Sequence, residues 1–282
     1  MPFAVNQLRD LSTLFSRSEV IRWSRNDFAS FNQRLARHGI IERNRGISYL
    51  GILRKMYRIL KTNYPNEYIL KNEFLNQWLK HELGTEESIV FSEFRIGGSI
   101  ADLAMFNGVS RGFEIKTILD SEYRLSRQLR QYKKIFNEVY IVVPQKQLSK
   151  YVDFDRCSGI ISFDAGFKHF ELIRKAERDF RIDSEVLMQV LHTHEYLDIS
   201  KKYFRTLPVI NAFNQFKICK ELISGIPHEE LNVLYIQAMK RRKINNSFFN
   251  KINSEFNQIS LSLNLDRKGR DSLVEILKSN RI

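Results

Sequence analysis

Residues 99–116, SIADLAMFNGVSRGFEIK, constrain the fold more than any other part of this 282-residue chain. Two mostly apolar runs flank Asn107 and Gly108, and Asn-Gly between such runs is typical of a β-hairpin. Each run contains one carboxylate, Asp102 in the first and Glu114 in the second. A carboxylate in a half-buried strand is costly unless a cation or a hydrogen-bond donor meets it. The sequence therefore predicts a hairpin with a polar site built into it.

The length of the turn decides whether the two carboxylates share a face of the hairpin. Because side chains alternate between faces, Asp102 and Glu114 share one only if the numbers of opposed residues add to an even value. A two-residue loop that pairs Phe106 with Val109 would separate the carboxylates. A three-residue loop that pairs Met105 with Val109, with the glycine in the left-handed conformation, would bring them together. We predict this odd-length loop or an equivalent bulge.

The residue types on the second strand point to hydrolytic chemistry. Glu114 and Lys116 are two residues apart, so they project from one face about 6.6 Å apart along the strand. Carboxylates hold hard divalent cations, and an ammonium group can hold or deprotonate the attacking water and offset charge on a phosphate. We interpret Asp102, Glu114 and the backbone carbonyl of Ile115 as ligands of Mg²⁺ or Mn²⁺, with Lys116 beside them. The alternative is a salt-bridged surface strand, since Glu-X-Lys is common by chance.

A predicted helix over 121–136 adds a third element to the hairpin. At 100° per residue its apolar side chains form one buried stripe, made of Leu125, Leu129, Tyr132, Ile135 and Phe136. Gln128 falls inside this stripe, and an amide that points inward needs a polar partner. The carboxylates or a scissile phosphate would provide that partner; a nearby carbonyl is the alternative. Arg127 faces solvent or nucleic acid, and Arg124 is a further candidate for nucleic-acid contact.

The distribution of charge predicts a polyanionic partner. Lys and Arg outnumber Asp and Glu by 12 to 4 in residues 1–62 and by 20 to 14 in 165–282, whereas 63–164 has 13 against 14. A nearly neutral centre between two basic flanks suits a nucleic-acid-binding protein with an acidic metal site. Candidate phosphate contacts at the end of a predicted helix are Lys240, Arg241, Arg242 and Lys243, which could instead serve the negative helix end. The alternative for the flanks is solvation of the outer helix faces.

Composition narrows the class of protein and its compartment. The chain has 43% hydrophobic residues, only 12 Gly and 5 Pro, and no apolar run of 18 residues. Its first ten residues are too polar for a signal peptide. Two widely separated cysteines, Cys157 and Cys219, lack metal-binding spacing and are expected to be reduced. We therefore expect a cytoplasmic, helix-rich globular protein with no membrane segment.

Apolar periodicity predicts an α/β fold in three consecutive regions. A basic N-terminal helical region covers 1–62, a core with a mixed sheet and flanking helices covers 63–182, and a basic C-terminal helical region covers 183–282. Within the core we predict a helix at 66–83, strands at 88–96, 99–106 and 112–118, the helix at 121–136, and strands at 139–143, 159–163 and 169–173.

The motifs together resemble a known family. Asp102, then Glu114-Ile115-Lys116, then Gln128 through Tyr132 are similar to the D, E-X-K and Q-X-X-X-Y signature of the PD-(D/E)XK nuclease superfamily, in its exonuclease-like branch. The resemblance covers about residues 66–143, and the whole chain resembles an uncharacterised group of bacterial proteins that flank such a core with helices. It implies a restriction-endonuclease-like core, nucleic-acid contact near Tyr132, and metal-dependent hydrolysis of DNA in bacterial repair or in defence against foreign DNA. Ala101 replaces the proline that the family has before the aspartate.

The acidic residue that the family has on its first core helix has two candidates here. In helical projection Glu67 falls among the apolar residues of the predicted helix and Glu73 falls outside them. We therefore expect Glu67 to complete the catalytic and metal site and Glu73 to meet solvent. Glu67 could instead be a residue of the helix N-terminus, where the macrodipole favours a negative charge.

Two other interpretations of the chain stay open. The scaffold could bind nucleic acid without catalysis, or its helical flanks could join a protein partner or a second copy of the chain. One further cluster, His192, His194 and Glu195, has residue types that bind metals. We expect His192 and His194 on one helix, where their rings would be about 200° apart, so we expect no shared zinc.

Overall fold

The computed structural model describes residues 3–82, 88–118, 120, 123–164, 166–167, 169–243 and 249–282. The predicted helices 66–83 and 121–136 extend to Leu83 and to Ser121 and Glu122, and these three residues lie outside the described part of the chain. In the part described, no helix combines the length and the apolar character needed to cross a membrane. The helices are α1 (Val5–Ser12), α2 (Arg17–Trp23), α3 (Ala29–Arg37), α4 (Tyr49–Asn63), α5 (Glu67–Phe74), α6 (Lys80–Glu82), α7 (Leu125–Tyr132), α8 (Leu148–Val152), α9 (Ser184–Val190), α10 (Thr193–Tyr203), α11 (Gln215–Ser224), α12 (His228–Lys240), α13 (Asn257–Ser262) and α14 (Arg267–Ser279). The strands are β1 (Ile89–Ile96), β2 (Ser99–Phe106), β3 (Ser110–Ile115), β4 (Glu138–Pro144), β5 (Gly159–Phe163) and β6 (Phe170–Arg174).

The chain divides into two compact units. The first comprises Met1–Glu82, Asp164–Phe170 and Asn245–Ile282, and the second comprises Leu83–Phe163 and Glu171–Ile244. These units differ from the three consecutive regions that the sequence suggests. The reason is that the last helices return to the first ones, since α14 packs on α2 and α4, and α13 packs on α2 and α5.

The first unit is helical and has an aromatic core. Phe28 stacks on Tyr49 at a ring distance of 4.0 Å, and Phe31 meets Tyr49 edge-on at 5.0 Å. Backbone pairing between Ser48 and Arg281 joins the N-terminal and C-terminal segments of this unit. Residues Leu75–Leu79, directly after α5, form a π-helical turn.

The second unit contains a six-stranded mixed sheet, with Phe170 at the start of β6 assigned to the first unit. The strand order is β1-β2-β3-β4-β5-β6; β1 to β3 are antiparallel neighbours, and β3 to β5 are parallel. A parallel pair needs a crossover connection, and α7 supplies it between β3 and β4. The observed sheet with helices at both ends of the chain confirms the predicted α/β fold class.

The crossover helix α7 packs on one face of the sheet through the predicted stripe. Leu125, Leu129, Tyr132, Ile135 and Phe136 are all buried, as their spacing predicts. The helix itself ends at Tyr132, earlier than predicted, and Ile135 and Phe136 follow in the turn before β4. Phe136 lies so close to Gly112 of β3 that a Cβ there would stand 2.5 Å from its ring. This glycine therefore allows the turn to rest directly on the strand.

A buried ion-pair cluster holds the start of β4. Glu138 accepts hydrogen bonds from Arg111 at 2.7 Å and from Arg178 at 2.8 Å, and its side chain is 1% exposed. Burial alone would raise the pKa of the Glu138 carboxyl, but the hydrogen bonds from Arg111 and Arg178 outweigh it and hold the pKa below the ordinary value. The carboxyl therefore stays ionised at neutral pH and links β3, β4 and the segment after β6.

This cluster predicts a dependence of stability on pH. Because the pKa of Glu138 is lower in the folded chain than in the unfolded one, its stabilisation is fully present above the unfolded value near 4.5 and is lost as pH falls through the folded pKa. Glu138→Gln should lower the free energy of unfolding at pH 7, and the gap to the wild type should narrow below about pH 4.5. Urea denaturation from pH 7 to pH 3 measures this gap. A gap that is constant over the whole range would contradict the assigned ion pairs.

Candidate functional site

The hairpin between β2 and β3 has the predicted odd-length turn. Phe106 pairs with Ser110, which leaves a three-residue loop whose glycine, Gly108, has φ +97°. The predicted three-residue loop and the predicted even sum of opposed residue numbers are both confirmed. The predicted partner of Met105 is wrong, because Met105 pairs with Arg111 and not with Val109. The Asn107 N–H bonds to the Val109 carbonyl at 3.3 Å and closes the loop one residue later than predicted.

This register brings Asp102 to the part of β3 that contains Glu114. The ladder of β2 and β3 runs as far as the pair Leu103 and Phe113, and the next pair in the same register is Asp102 with Glu114. Asp102 Oδ2 accepts the backbone N–H of Ile115 at 2.7 Å, so its side chain replaces the next ladder bond. Opposed side chains point to the same face of a sheet. The Asp102 carboxylate therefore lies beside Glu114 on β3, and a shared face for the two side chains stays a prediction.

Glu114 is buried and is held by groups from two elements. Lys116 Nζ lies 2.8 Å from Glu114 Oε1, and the side chains of Lys116 and Glu114 are 9% and 5% exposed. Tyr132 of α7 donates its hydroxyl to Glu114 Oε2 at 2.7 Å. The same hydroxyl lies 2.5 Å from the Ile100 carbonyl of β2. Tyr132 thus bridges the two strands where their ladder ends.

The Tyr132 hydroxyl stays protonated and also accepts a long hydrogen bond from Gln128 Nε2 at 3.5 Å. Burial raises the pKa of the Tyr132 hydroxyl far above its usual range, and the negative charges of Glu114 and Asp102 raise it further. The predicted contact between Tyr132 and nucleic acid is wrong, because the Tyr132 side chain is fully buried against the sheet.

The remaining α7 candidates lie at the edge of this site. Gln128 is half-buried, and its Nε2 is 3.5 Å from the Tyr132 hydroxyl, so this hydroxyl is the polar group that it meets. Arg124 and Arg127 are exposed. Arg127 reaches over Gly98 in the turn between β1 and β2, where its guanidinium would be 3.5 Å from an added Cβ. Both arginines are thus accessible to a ligand approaching α7.

The expected roles of the two glutamates on the first core helix are reversed by their burial. Glu67 is 65% exposed and pairs with Lys71, whereas Glu73 is 7% exposed and accepts bonds from Tyr57, Lys61 and Gln77. The prediction that Glu67 faces inward is wrong. Helical projection fails because α5 is buried on every side from Ile69 to Phe74, so exposure depends on position along its axis, and Glu67 lies in the first turn. No periodic signal could have identified the buried carboxylate.

The basic run after α12 is only partly available to a ligand. Arg242 donates two hydrogen bonds of 2.7 Å to Glu195 and one of 2.8 Å to the Val190 carbonyl. Its expected phosphate contact is therefore corrected to a structural ion pair. Arg241 and Lys243 are exposed and Lys240 is half-buried, so these three stay candidates for phosphate contact.

The geometry expected for the histidine pair is wrong. His192 is the N-cap of α10 with an extended backbone, and only His194 lies on the helix. Their rings are therefore 5.8 Å apart, and ligand atoms of His192, His194 and Glu195 lie within 4.8 Å of one another. Both Glu195 oxygens already accept bonds from Arg242, and the His192 N–H also donates to Oε2. A metal ion bound to all three residues would have to compete with Arg242.

Comparison with known proteins places the chain in a family. Its residues 60–264 match the sequence family of bacteriophage P4 protein cII. Protein cII of Enterobacteria phage P4 is 27% identical over 210 residues, which cover 70% of this chain and 77% of that protein. Among solved structures, the SPO1766 protein of unknown function from Silicibacter pomeroyi matches 49% of this chain and 93% of its own, with 14% identity and a TM-score of 0.33. The chain therefore belongs to the bacteriophage P4 protein cII family.

Proposed function

We propose that this protein is a divalent-metal-dependent nuclease that hydrolyses DNA phosphodiester bonds from a PD-(D/E)XK-like core, in bacterial DNA repair or in defence against foreign DNA. One observation carries the proposal. The Asp102 carboxylate accepts the Ile115 N–H at 2.7 Å, directly beside Glu114, and Lys116 Nζ lies 2.8 Å from Glu114 Oε1. An acid pair beside an ammonium group, half-enclosed by a helix, is the donor set that phosphodiester hydrolysis needs.

The donor set fits Mg²⁺ or Mn²⁺. Opposed residues on neighbouring strands have Cβ atoms about 4.5–5.5 Å apart, so their carboxylates can meet at one ion with oxygen distances of about 2.0–2.1 Å. Hard cations of this kind prefer carboxylate and carbonyl oxygens. Asp102, Glu114 and the Ile115 carbonyl would hold the ion. When bound, it would supply a polarised phosphate and a more acidic water.

The chain's own groups would then have distinct tasks. Lys116 carries a positive charge into a nearly dry site, where it can orient the attacking water and offset charge on the phosphate. Tyr132, which stays protonated, keeps Glu114 in one orientation and cannot serve as a base. The exposed arginines of α7, Arg124 and Arg127, are placed to contact the phosphates of a strand lying along the helix. Exposed Arg241 and Lys243 would add further phosphate contacts.

An assay with several nucleic acids tests the proposal. We expect the full chain to cleave linear or circular DNA with Mg²⁺ or Mn²⁺ and to lose this activity in chelator. RNA of the same sequence is the comparison that defines the substrate class. If none of these nucleic acids is cleaved with either metal, the hydrolase proposal is rejected.

A second candidate function is nucleic-acid binding without catalysis. It is favoured by one observation: Glu114 already has donors from Lys116 and Tyr132, and Asp102 has one from Ile115, so the site is internally satisfied. This alternative predicts binding that weakens steeply with salt and no turnover that depends on metal. The same assay, combined with a binding titration at two salt concentrations, separates the two functions.

A further inference from the structure

A basic segment with a projecting aromatic side chain lies in the second unit, outside the candidate metal site. We call residues 201–220, from the end of α10 into α11, the 201–220 segment. It contains Lys201, Lys202, Arg205, Lys217 and Lys220 and has no Asp or Glu. Phe213 is 100% exposed and Val209 is 87% exposed. Lys220 is paired with Glu185 at 2.6 Å, which leaves Lys201, Lys202, Arg205 and Lys217 to make this surface complementary to a polyanion.

Hydrogen bonds of the local turn order the backbone that carries the aromatic side chain. Asn211 Oδ1 accepts the N–H groups of Phe213 at 2.9 Å and Asn214 at 3.1 Å. Asn214 in turn accepts the Asn211 N–H at 2.7 Å and donates to the Val209 carbonyl at 3.1 Å. A phenyl ring on an ordered turn binds a partner with a small loss of conformational entropy.

The segment is anchored to the core from its other side. Cys219 and Ile223 of α11 are fully buried in the hydrophobic core of the second unit, and Phe216 packs edge-on against Tyr196 at 6.0 Å. Helix α11 also packs on α9. Helix α9 reaches the β1–β2 turn, where Gln189 lies against Gly97. The segment is therefore joined by direct packing to the turn over which Arg127 reaches.

We propose that the 201–220 segment binds single-stranded nucleic acid, with Phe213 stacked on an unpaired base and the cations of the segment on the phosphates. An exposed ring can stack on any base, whereas in a duplex both faces of each base are already covered by its neighbours. The charge of the segment favours a polyanion over an apolar surface. The inference rests on the proposed function only in taking nucleic acid as the partner.

The test is a binding titration of the full chain in chelator, so that cleavage has no influence on it. Fluorescence anisotropy of a labelled single-stranded oligonucleotide and of its duplex gives the two affinities. Phe213→Ala should weaken single-strand binding about 5- to 150-fold and change duplex binding by less than about twofold. Phe213→Trp should keep the affinity, and the fluorescence of the new indole should fall when it stacks on a base.

Two further variants separate stacking from charge and from general effects of an exposed apolar side chain. Lys201→Ala should weaken binding. It should also lower the slope of log affinity against log salt concentration by about 1, which corresponds to one phosphate contact, whereas Phe213→Ala should leave this slope unchanged. Ile252→Ala, at an 80% exposed apolar position of the first unit, is the matched control and should bind like the wild type.

Several results would overturn the inference. These are failure of the wild type to bind the single strand, an unchanged affinity in Phe213→Ala, or an equal loss for single strand and duplex. A change from dimer to monomer in sedimentation of Phe213→Ala, with unchanged nucleic-acid binding, would assign the surface to contact between copies of the chain. None of these results depends on cleavage, so the nuclease proposal is judged separately by the metal-dependent assay.

Discussion

Asp102→Asn, Glu114→Gln and Lys116→Met should each lower the rate of Mg²⁺-dependent DNA cleavage by about 10²–10⁴-fold. Each variant keeps the size of its side chain and removes one charge from the acid pair or from the neighbouring ammonium group. The two amides would weaken the hold on a divalent cation, and the methionine would remove the group that faces water and phosphate. DNA affinity measured in chelator should change little, because the proposed phosphate contacts lie on α7 and after α12.

Single-turnover cleavage of a linear duplex measures the chemical step without the influence of product release. Glu171→Gln, which removes an exposed charge from β6 of the same sheet, is the matched control and should cleave at the wild-type rate. Circular dichroism of each variant checks that the fold is kept. Wild-type cleavage in all three site variants would end the assignment of the acid pair and its lysine as catalytic groups.

Glu114→Ala should lower the free energy of unfolding by about 3–5 kcal/mol, because it leaves the ammonium group of Lys116 buried without its anion. The double variant Glu114→Ala with Lys116→Met should recover most of this loss, since removal of both charges leaves no unpaired ion. Urea denaturation of the wild type, both single variants and the double variant forms a complete mutant cycle.

This cycle needs no substrate, so it tests the geometry of the site whether or not the protein is an enzyme. A coupling energy on the order of 1–3 kcal/mol between Glu114 and Lys116 is expected for a pair in direct contact. If Glu114→Ala costs less than about 1 kcal/mol and the coupling is absent, the buried ion pair described here does not form in solution.

The sequence was most informative where a short stretch of chain sets the local structure. Asn107 and Gly108 between apolar runs predicted the hairpin. The expectation that Asp102 and Glu114 share a face requires opposed residue numbers with an even sum, and this requirement predicted the three-residue loop. The predicted buried apolar residues from Leu125 to Phe136 were likewise correct, although α7 itself ends at Tyr132. In each case the pattern lies within a short stretch of chain, because backbone geometry sets the interval at which side chains return to the same face of a helix or strand.

Local rules were insufficient where burial depends on distant parts of the chain. Glu67 and Glu73 differ in exposure because α4 and α13 enclose the middle of α5 and leave its first turn open. Arg242 was expected to face a ligand, but its bonds to Glu195 and Val190 come from residues about fifty positions earlier in the chain. His192 was expected on a helix and is its N-cap, which turns its ring toward His194.

The amino-acid sequence by itself determined the sheet, the three-residue turn between the strands of Asp102 and Glu114, and the basic character of the flanks, because periodicity and composition act over neighbouring residues. Only the tertiary structure decided which charges remain exposed, how Tyr132 joins the separated ends of β2 and β3, and that α13 and α14 return to the first helices. These outcomes depend on which surfaces meet when the chain packs, and desolvation and pairing of a charge are set by atoms far away in sequence.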